Sequence, residues 1–123
     1  MPTWTYPTSR VISVTDGDNF LDMVDQGLET FRRLNCRLNG CNAREHDEEG
    51  GPEATYNLTQ TFLAYPEVTI QVIKYDKYGP RHQVKVFLPD GTSLIEKLIA
   101  EQWLARWDGR GEKPVPPWPR TVA

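Results

Sequence analysis

Several features that would assign a protein to a class are scarce in this chain. Its 123 residues contain no apolar run approaching the roughly 20 residues that a membrane span requires. It has two cysteines and two histidines, with no pair of them at a ligand spacing, so a structural zinc site has almost no support. The net charge is −3, which argues against the long-range attraction to DNA that a basic domain exerts. Any contact with nucleic acid must therefore be local.

The cysteines and the N-terminus bear on the compartment. Cys36 and Cys41 are separated by an odd number of positions, which places them on opposite faces if they share one straight strand, and we interpret them as free thiols. The segment from Met1 to Pro7 lacks the basic start and the apolar stretch of a secretory signal. We therefore expect a cytoplasmic protein with no membrane association, and we take it to be a monomer.

The length corresponds to one domain. We assign residues 1–10 to an N-terminal extension, residues 11–108 to the folded domain and residues 109–123 to a proline-rich tail. Pro114 to Pro119 cannot be helical and should be extended. This tail is either a docking peptide for a protein partner or a segment that packs Trp118 against its own domain. Trp103 and Trp107 are interpreted first as helix packing residues and second as a partner surface.

Alternating apolar residues and turn signals indicate a small β-rich domain. The predicted strands are Val11–Val14, Phe20–Val24, Phe31–Asn42, Val68–Ile73 and Gln83–Leu88. On the third of these, Leu34, Cys36 and Leu38 alternate inward, so Arg37 should face outward. One helix should begin at Gly51-Pro52-Glu53, with one face formed by Ala54, Leu58, Thr61, Phe62 and Tyr65, and a second should follow the capping pair Ser93 and Glu96. The strand connections are too short for crossovers of a parallel sheet. We therefore predict a β-rich α+β fold, a five-stranded OB-type Greek-key barrel with two to three helices.

Two segments carry residues suited to phosphodiester chemistry. The turn Asp16-Gly17-Asp18 offers oxygen ligands for a hard metal ion, and Arg37 offers a guanidinium for phosphate. Glu45, farther along the same segment, can orient a water molecule. Each residue also has a plainer interpretation, because aspartate and glycine are common in tight turns and Glu45 lies in a charged, solvated loop.

The order of these motifs resembles the staphylococcal nuclease (thermonuclease-like) family of OB-fold phosphodiesterases. The matching pieces are Asp16-Gly17-Asp18, the segment from Arg37 to Glu45 against the family pattern R-L-x-G-I-D-A-P-E, Gly51-Pro52-Glu53-Ala54, and Asp76-Lys77-Tyr78-Gly79. The helix from Leu94 to Ala105 completes the series, so the resemblance covers about Val11 to Arg106.

The resemblance implies a calcium ion held by oxygen ligands and a phosphate clamped by arginines. The implied metal ligands are Asp16, Asp18, Asn42 and the backbone carbonyl of Ala43. The implied catalytic residues are Arg37, Glu45 and Arg81, and the implied substrate contacts are Lys77 and Tyr78. We expect the side chains of Arg37, Asp18 and Glu45 to converge on one pocket outside the barrel wall.

This chain departs from the family pattern at several positions. Asn42 stands where the family has a second aspartate, which keeps an oxygen but removes a charge. Pro80 stands where the family has its second arginine, and Arg81 follows one position later. A one-residue slip normally reverses the face of a strand residue, so Arg81 is either an inward replacement at a bulge or a surface charge.

These observations favour a divergent metal-dependent nuclease. It would cleave DNA or RNA, single-stranded or locally melted, with little sequence specificity. One alternative is a module of the same fold that has lost catalysis and acts as a binding or protein-interaction domain. Another is single-strand binding through the OB face, although the chain lacks the interleaved aromatic and basic residues that such grooves use.

Overall fold

The fold is known from a computed structural model that describes residues 4–76 and 80–122. The strands are β1 (Trp4–Asp16), β2 (Asn19–Asp25), β3 (Phe31–Leu38), β4 (Cys41–Asn42), β5 (Val68–Asp76), β6 (Arg81–Phe87) and β7 (Ala105–Arg106). The helices within the described residues are α1 (Gly51–Ala64) and α2 (Leu94–Ala100). The predicted β-rich α+β class is confirmed. Neither helix is long and apolar enough to cross a membrane.

Five of the strands form a ring in which each strand is hydrogen-bonded to two neighbours. The order is β1, β2, β3, β6 and β5, and β5 returns to pair with β1. All pairs are antiparallel except β3 with β6, which run parallel. The short strands β4 and β7 form a separate antiparallel pair. The parallel pair matters most for function because it joins two distant segments on one face.

The hydrophobic core lies inside this ring and under the helices. The period of two along β2 turns Phe20 and Val24 inward, and both are fully buried. From α1, Leu58 and Phe62 pack on the same core, and the rings of Phe62 and Phe20 lie 4.9 Å apart. Ala54, Leu58 and Phe62 belong to the helix face that the sequence predicts.

The first strand is longer than predicted. It begins at Trp4 rather than Val11, and Trp4 pairs with Val72 while Ser9 pairs with Val68. Residues 4–10, which we had assigned to an N-terminal extension, therefore belong to the sheet. The short β-branched run from Val11 revealed only the part of the strand whose composition is typical of sheets.

The third predicted strand is interrupted. β3 ends at Leu38, the chain turns at Asn39 and Gly40, and β4 contains only two residues. Gly40 has φ of 74°, a conformation that glycine adopts without strain. The two cysteines therefore lie on different strands, and both are buried free thiols, as predicted.

The second helix begins as predicted and ends early. The Ser93 hydroxyl accepts a hydrogen bond from the Glu96 backbone N–H at 3.4 Å. α2 stops at Ala100, so Trp103, Leu104 and Trp107 are not helical, although Leu104 is buried. Consequently Trp103 and Trp107 do not share a helix face.

A close backbone approach ties the charged loop 45–50 to the start of α1. A Cβ on Gly51 would overlap the backbone carbonyl of Glu45, so only glycine fits there. The Gly51 N–H donates to the carbonyl of Glu48 at 2.9 Å. Pro52 follows within the first turn of α1, where its missing N–H costs nothing. This packing positions the loop that carries Arg44 and Glu45.

Candidate functional site

The candidate site is a cleft of about 620 Å³ on the outer face of β3, β5 and β6. One wall comes from these strands and the other from the turn after β3 and the chain beyond β7. Its charged lining comprises five cations and two carboxylates: Arg37, Lys74, Arg81, Arg110, Lys113, Asp76 and Asp108. Asn39, Gln83 and Trp107 also line it. A chain of negative net charge thus concentrates positive charge in one concave place.

Strand register explains why the two arginines share this cleft. In the parallel pair of β3 and β6, Arg37 lies opposite Gln83. Arg81 is two residues before Gln83 on β6, so it faces the same side. An irregularity between Val72 and Lys74 in β5 then sets Lys74 opposite Gln83 and Asp76 opposite Arg81. Arg81 therefore lies in the same cleft as Arg37 rather than on a separate surface of the sheet.

Arg37 faces outward from the ring, as predicted, but it is only 7% exposed. Its Nη1 donates hydrogen bonds of 3.0 Å to the backbone carbonyls of Leu38 and Cys41. Its Nη2 lies 3.5 Å from Oδ2 of Asp18, and its Cζ lies 5.9 Å from the centre of the Trp107 ring. The guanidinium is therefore held in one orientation before any ligand arrives.

Asp18 is the buried partner of Arg37. Its two carboxylate oxygens accept hydrogen bonds from the Asn19 side chain at 2.9 Å and from the Ala43 backbone N–H at 3.0 Å. Burial raises the pKa of Asp18, and the neighbouring Arg37 and the Ala43 N–H oppose this rise. The carboxylate thus serves to orient Arg37 and to connect β2 with the chain after β4.

Asn19 links the two arginines. While its amide nitrogen donates to Asp18, its Oδ1 accepts a hydrogen bond of 3.3 Å from Nη1 of Arg81. Nε of Arg81 also lies 3.5 Å from the carboxylate of Asp76. Arg37, Asp18, Asn19 and Arg81 therefore form one continuous polar chain, which fixes the spacing of the two guanidinium groups.

Of the predicted site residues that the structure describes, Arg37 and Arg81 line the cleft, whereas Glu45 and Asp16 are among those that do not. The Glu45 side chain is about half exposed, and its carboxylate lies 4.0 Å from Nζ of Lys113, so it stands at the rim. Asp16 accepts hydrogen bonds from the backbone N–H of His46 at 3.0 Å and from its ring at 2.9 Å. This contact raises the pKa of His46. Asp16 therefore stabilises the charged loop 45–50 and does not contribute to the cleft.

The remaining predicted ligands are also engaged. The Asn42 amide nitrogen donates a 2.9 Å hydrogen bond to the carbonyl of Pro114, and the Ala43 N–H is bonded to Asp18. Calcium requires six to eight oxygen ligands, and charged ones determine its affinity. Within the ranges 4–76 and 80–122, no group of three or more acidic, histidine or cysteine side chains is arranged to hold a metal. The donor set around Asp18 does not fit a calcium site, and calcium binding stays a prediction.

The predicted substrate contacts Lys77 and Tyr78 lie outside the described residues. Sequence reasoning missed the roles of the cleft residues Lys74, Trp107, Arg110 and Lys113, and that of Asn19, which bonds to Arg81. Asn19 had a signal, since it directly follows the acidic turn. Trp107, Arg110 and Lys113 had none, because they enter the cleft only when the tail folds back onto the ring.

The tail packs against the chain's own domain, the second of the two options that the sequence left open. Arg44 Nε donates to the carbonyl of Pro116 at 3.0 Å. The Trp118 ring lies 6.5 Å from that of Trp103, and the Arg120 guanidinium lies 4.0 Å above the Trp103 ring. The possible protein partner for the tail stays a prediction.

Searches against protein-family models and against curated proteins find no match to this chain.

Proposed function

We propose that this chain is a divergent thermonuclease-like protein of the OB type and that its cleft binds the phosphates of a nucleic acid strand. The closed ring of five strands supports the OB-type part, because small five-stranded rings of this kind commonly bind nucleic acid on one outer face. The ordered sequence motifs support the family part.

The observation that carries the proposal is the linked pair Arg37 and Arg81. Both guanidinium groups line one cleft, and Asp18 and Asn19 join them through hydrogen bonds and an ion pair. Planar guanidinium groups at a fixed spacing suit phosphate oxygens, which accept two parallel hydrogen bonds. Lys74 adds a third cation from the neighbouring strand.

The shape and charge of the cleft favour a single strand without sequence preference. A cleft of about 620 Å³ lined mainly by charged side chains contacts the backbone rather than base edges. The Trp107 ring in its wall offers a surface for a base. Since the protein as a whole is negative, the attraction is local and should weaken steeply with added salt.

Replacement of Arg81 by glutamine tests this proposal directly. Binding of a fluorescent single-stranded oligonucleotide, followed by anisotropy at several salt concentrations, should weaken about tenfold because one charged hydrogen bond is worth about 1.5 kcal/mol or more. The negative slope of the logarithm of the binding constant against the logarithm of the salt concentration should become shallower by about 1. Arg10→Gln is the control, since Arg10 is exposed and pairs with Glu67 away from the cleft. Equal affinities of the two variants, or no binding by the unmodified protein at low salt, would refute the proposal.

A second candidate is phosphodiester hydrolysis in the same cleft, which the resemblance implies. It is favoured by the Glu45 carboxylate, which stands half exposed at the rim beside Lys113. A carboxylate in such a position can orient water toward a phosphate that the arginines hold.

Glu45→Gln separates hydrolysis from binding. If the protein cleaves single-stranded DNA or RNA, this change should lower the cleavage rate by about 10²–10⁴ while oligonucleotide affinity stays the same. Glu49→Gln, in the same loop, is the matched control. Cleavage is measured on gels, in EDTA and in calcium. Equal cleavage rates for the two variants, or no cleavage by the unmodified protein, would count against the hydrolysis proposal.

A further inference from the structure

The chain from Trp107 to Val122, which we name the C-terminal strap, forms one wall of the cleft. It follows β7, whose residue Arg106 pairs with Cys41 of β4. The Trp107 backbone N–H then donates to the carbonyl of Gly40 at 2.9 Å. The strap thereby starts directly beside the turn that follows Arg37, and two of the five cleft cations belong to it.

Polar contacts and rings fasten the strap along its length. Side chains of Asn42 and Arg44 donate to the carbonyls of Pro114 and Pro116 at 2.9 and 3.0 Å. Farther along, the Gln102 side-chain oxygen accepts hydrogen bonds of 2.8 and 3.0 Å from the N–H and hydroxyl of Thr121. Since the acceptors at Pro114 and Pro116 are backbone carbonyls, the side chains that bind these two residues must be donors.

This requirement explains the amide at position 42. The Asn42 amide donates to Pro114, whereas an ionised aspartate has only acceptor oxygens and would repel that carbonyl. Asn42 is 5% exposed, so a carboxylate there would also be desolvated. The uncharged amide at position 42 is therefore what allows the strap to dock there.

The strap brings its own positive charge. Two cations lie near the Trp107 ring: Cζ of Arg37 is 5.9 Å from the ring centre, and Nζ of Lys113 is 5.7 Å from it. The Trp107 Nε1–H donates to the carbonyl of Arg110 at 3.0 Å, and the Arg110 N–H donates to Asp108 at 2.8 Å. This turn holds the Arg110 side chain at the cleft. Lys113 is half exposed, and its contacts with the Trp107 ring and with Glu45 at 4.0 Å are both long, so it can turn toward a phosphate.

We propose that the strap completes a phosphate site that works without a divalent metal. Arg110 and Lys113 supply the positive charge on the side of the phosphate opposite Arg37 and Arg81, and Asn42 fastens the strap that carries them. This inference rests on the proposed binding of nucleic acid in the cleft, and it adds which residues supply the positive charge of the phosphate site.

The first test compares oligonucleotide binding in EDTA and in calcium. The affinity of the unmodified protein for a fluorescent single-stranded oligonucleotide should be the same in both buffers. Lys113→Gln and Arg110→Gln should each weaken binding about tenfold in EDTA and reduce the salt slope by about 1, as expected for lost phosphate contacts. Arg10→Gln is again the control, and thermal unfolding should show that all four proteins are folded.

The second test uses Asn42→Asp, with Asn42→Ala as its partner. Both changes should speed deuterium uptake at the strap amides and trypsin cleavage after Arg110, and the aspartate should do so more because it repels the Pro114 carbonyl. Both should also weaken oligonucleotide binding in EDTA, and calcium should not restore it. Isothermal titration of Asn42→Asp with calcium should give no heat of binding.

The outcomes are separable. Binding that requires calcium, or an Asn42→Asp variant whose binding calcium strengthens, would overturn the metal-independent site and leave the nucleic acid proposal standing. Strap variants that bind as Arg10→Gln does would overturn the role of the strap in the same way. No binding in either buffer would overturn both proposals.

Discussion

Replacing Arg37 by methionine is expected to cost about 3–5 kcal/mol of folding free energy at neutral pH, because it leaves a buried carboxylate without its cation. The side chains of Arg37 and Asp18 are 8% and 7% exposed, so water cannot take over the role of the guanidinium. The change also frees the carbonyls of Leu38 and Cys41, which accept hydrogen bonds from Arg37. Urea unfolding followed by tryptophan fluorescence measures the loss.

The cost should depend on pH in a defined direction. Arg37 lowers the pKa of Asp18, which burial raises, so removing Arg37 should raise that pKa further. Below it the carboxyl is neutral and needs no cation, and the destabilisation should shrink as the pH falls. The double variant Asp18→Asn, Arg37→Met should recover part of the loss at pH 7.

An exposed pair provides the comparison for Arg37. The side chains of Arg10 and Glu67 are 74% and 52% exposed, and Arg10→Met should cost roughly 0–1 kcal/mol. If Arg37→Met costs no more than Arg10→Met, the pair with Asp18 does not hold the cleft together.

Replacing Asp22 by valine is expected to stabilise the protein at neutral pH. Asp22 faces the core between Phe20 and Val24, is fully buried, and neither carboxylate oxygen has a hydrogen-bond partner within the described residues. Burial raises its pKa from 3.8 to about 6. The nearby Ser9 hydroxyl opposes the rise, but it points to the Val68 carbonyl at 3.4 Å, so burial prevails.

The sign of the pH dependence follows from this raised pKa. Between pH 3.8 and about 6 the folded state binds more protons than the unfolded state, so stability falls as the pH rises through this window. Above this window the loss of unfolding free energy is complete. It amounts to about 3 kcal/mol, since each unit of pKa shift corresponds to about 1.36 kcal/mol. Asp22→Val should remove this loss, and valine also suits a buried strand position.

Urea unfolding at pH 4, 5, 6 and 7 checks the prediction. The difference in unfolding free energy between Asp22→Val and the unmodified protein should grow with pH and level off above about pH 6. Asp25→Asn is the control, since Asp25 is exposed at the end of the same strand and should leave the pH slope in place. Parallel pH profiles for all three proteins would show that the pKa of Asp22 is the same in the folded and unfolded states, which would contradict the prediction.

Much of the fold was predictable because local patterns coincide with the final packing. The alternation in β2, the proline at the start of α1 and the serine cap of α2 each act within a few residues. The misjudged boundaries have local causes as well. Residues 4–10 contain Pro7 and several polar residues, which do not look like a strand, and Gly40 breaks a run that otherwise alternates.

The candidate site was predictable only in part. Arg37 and Asp18 were identified from their motifs, and the structure brings them to 3.5 Å. Glu45 was predicted to converge with them, yet it lies at the rim beside Lys113. Asp22 was overlooked because a carboxylate in an alternating strand is normally assumed to face water, whereas here the period of two directs it inward.

The sequence by itself determined the β-rich class, the outward position of Arg37 and the grouping of candidate site residues in two short segments. Each of these depends on neighbouring residues in the chain. Only the tertiary structure decided that Arg81 joins Arg37, that Asn42 fastens the strap and that Trp107, Arg110 and Lys113 form a wall of the cleft. These contacts connect residues far apart in the chain. Their geometry arises from the parallel pairing of β3 with β6 and from the return of the C-terminus, which no local pattern encodes.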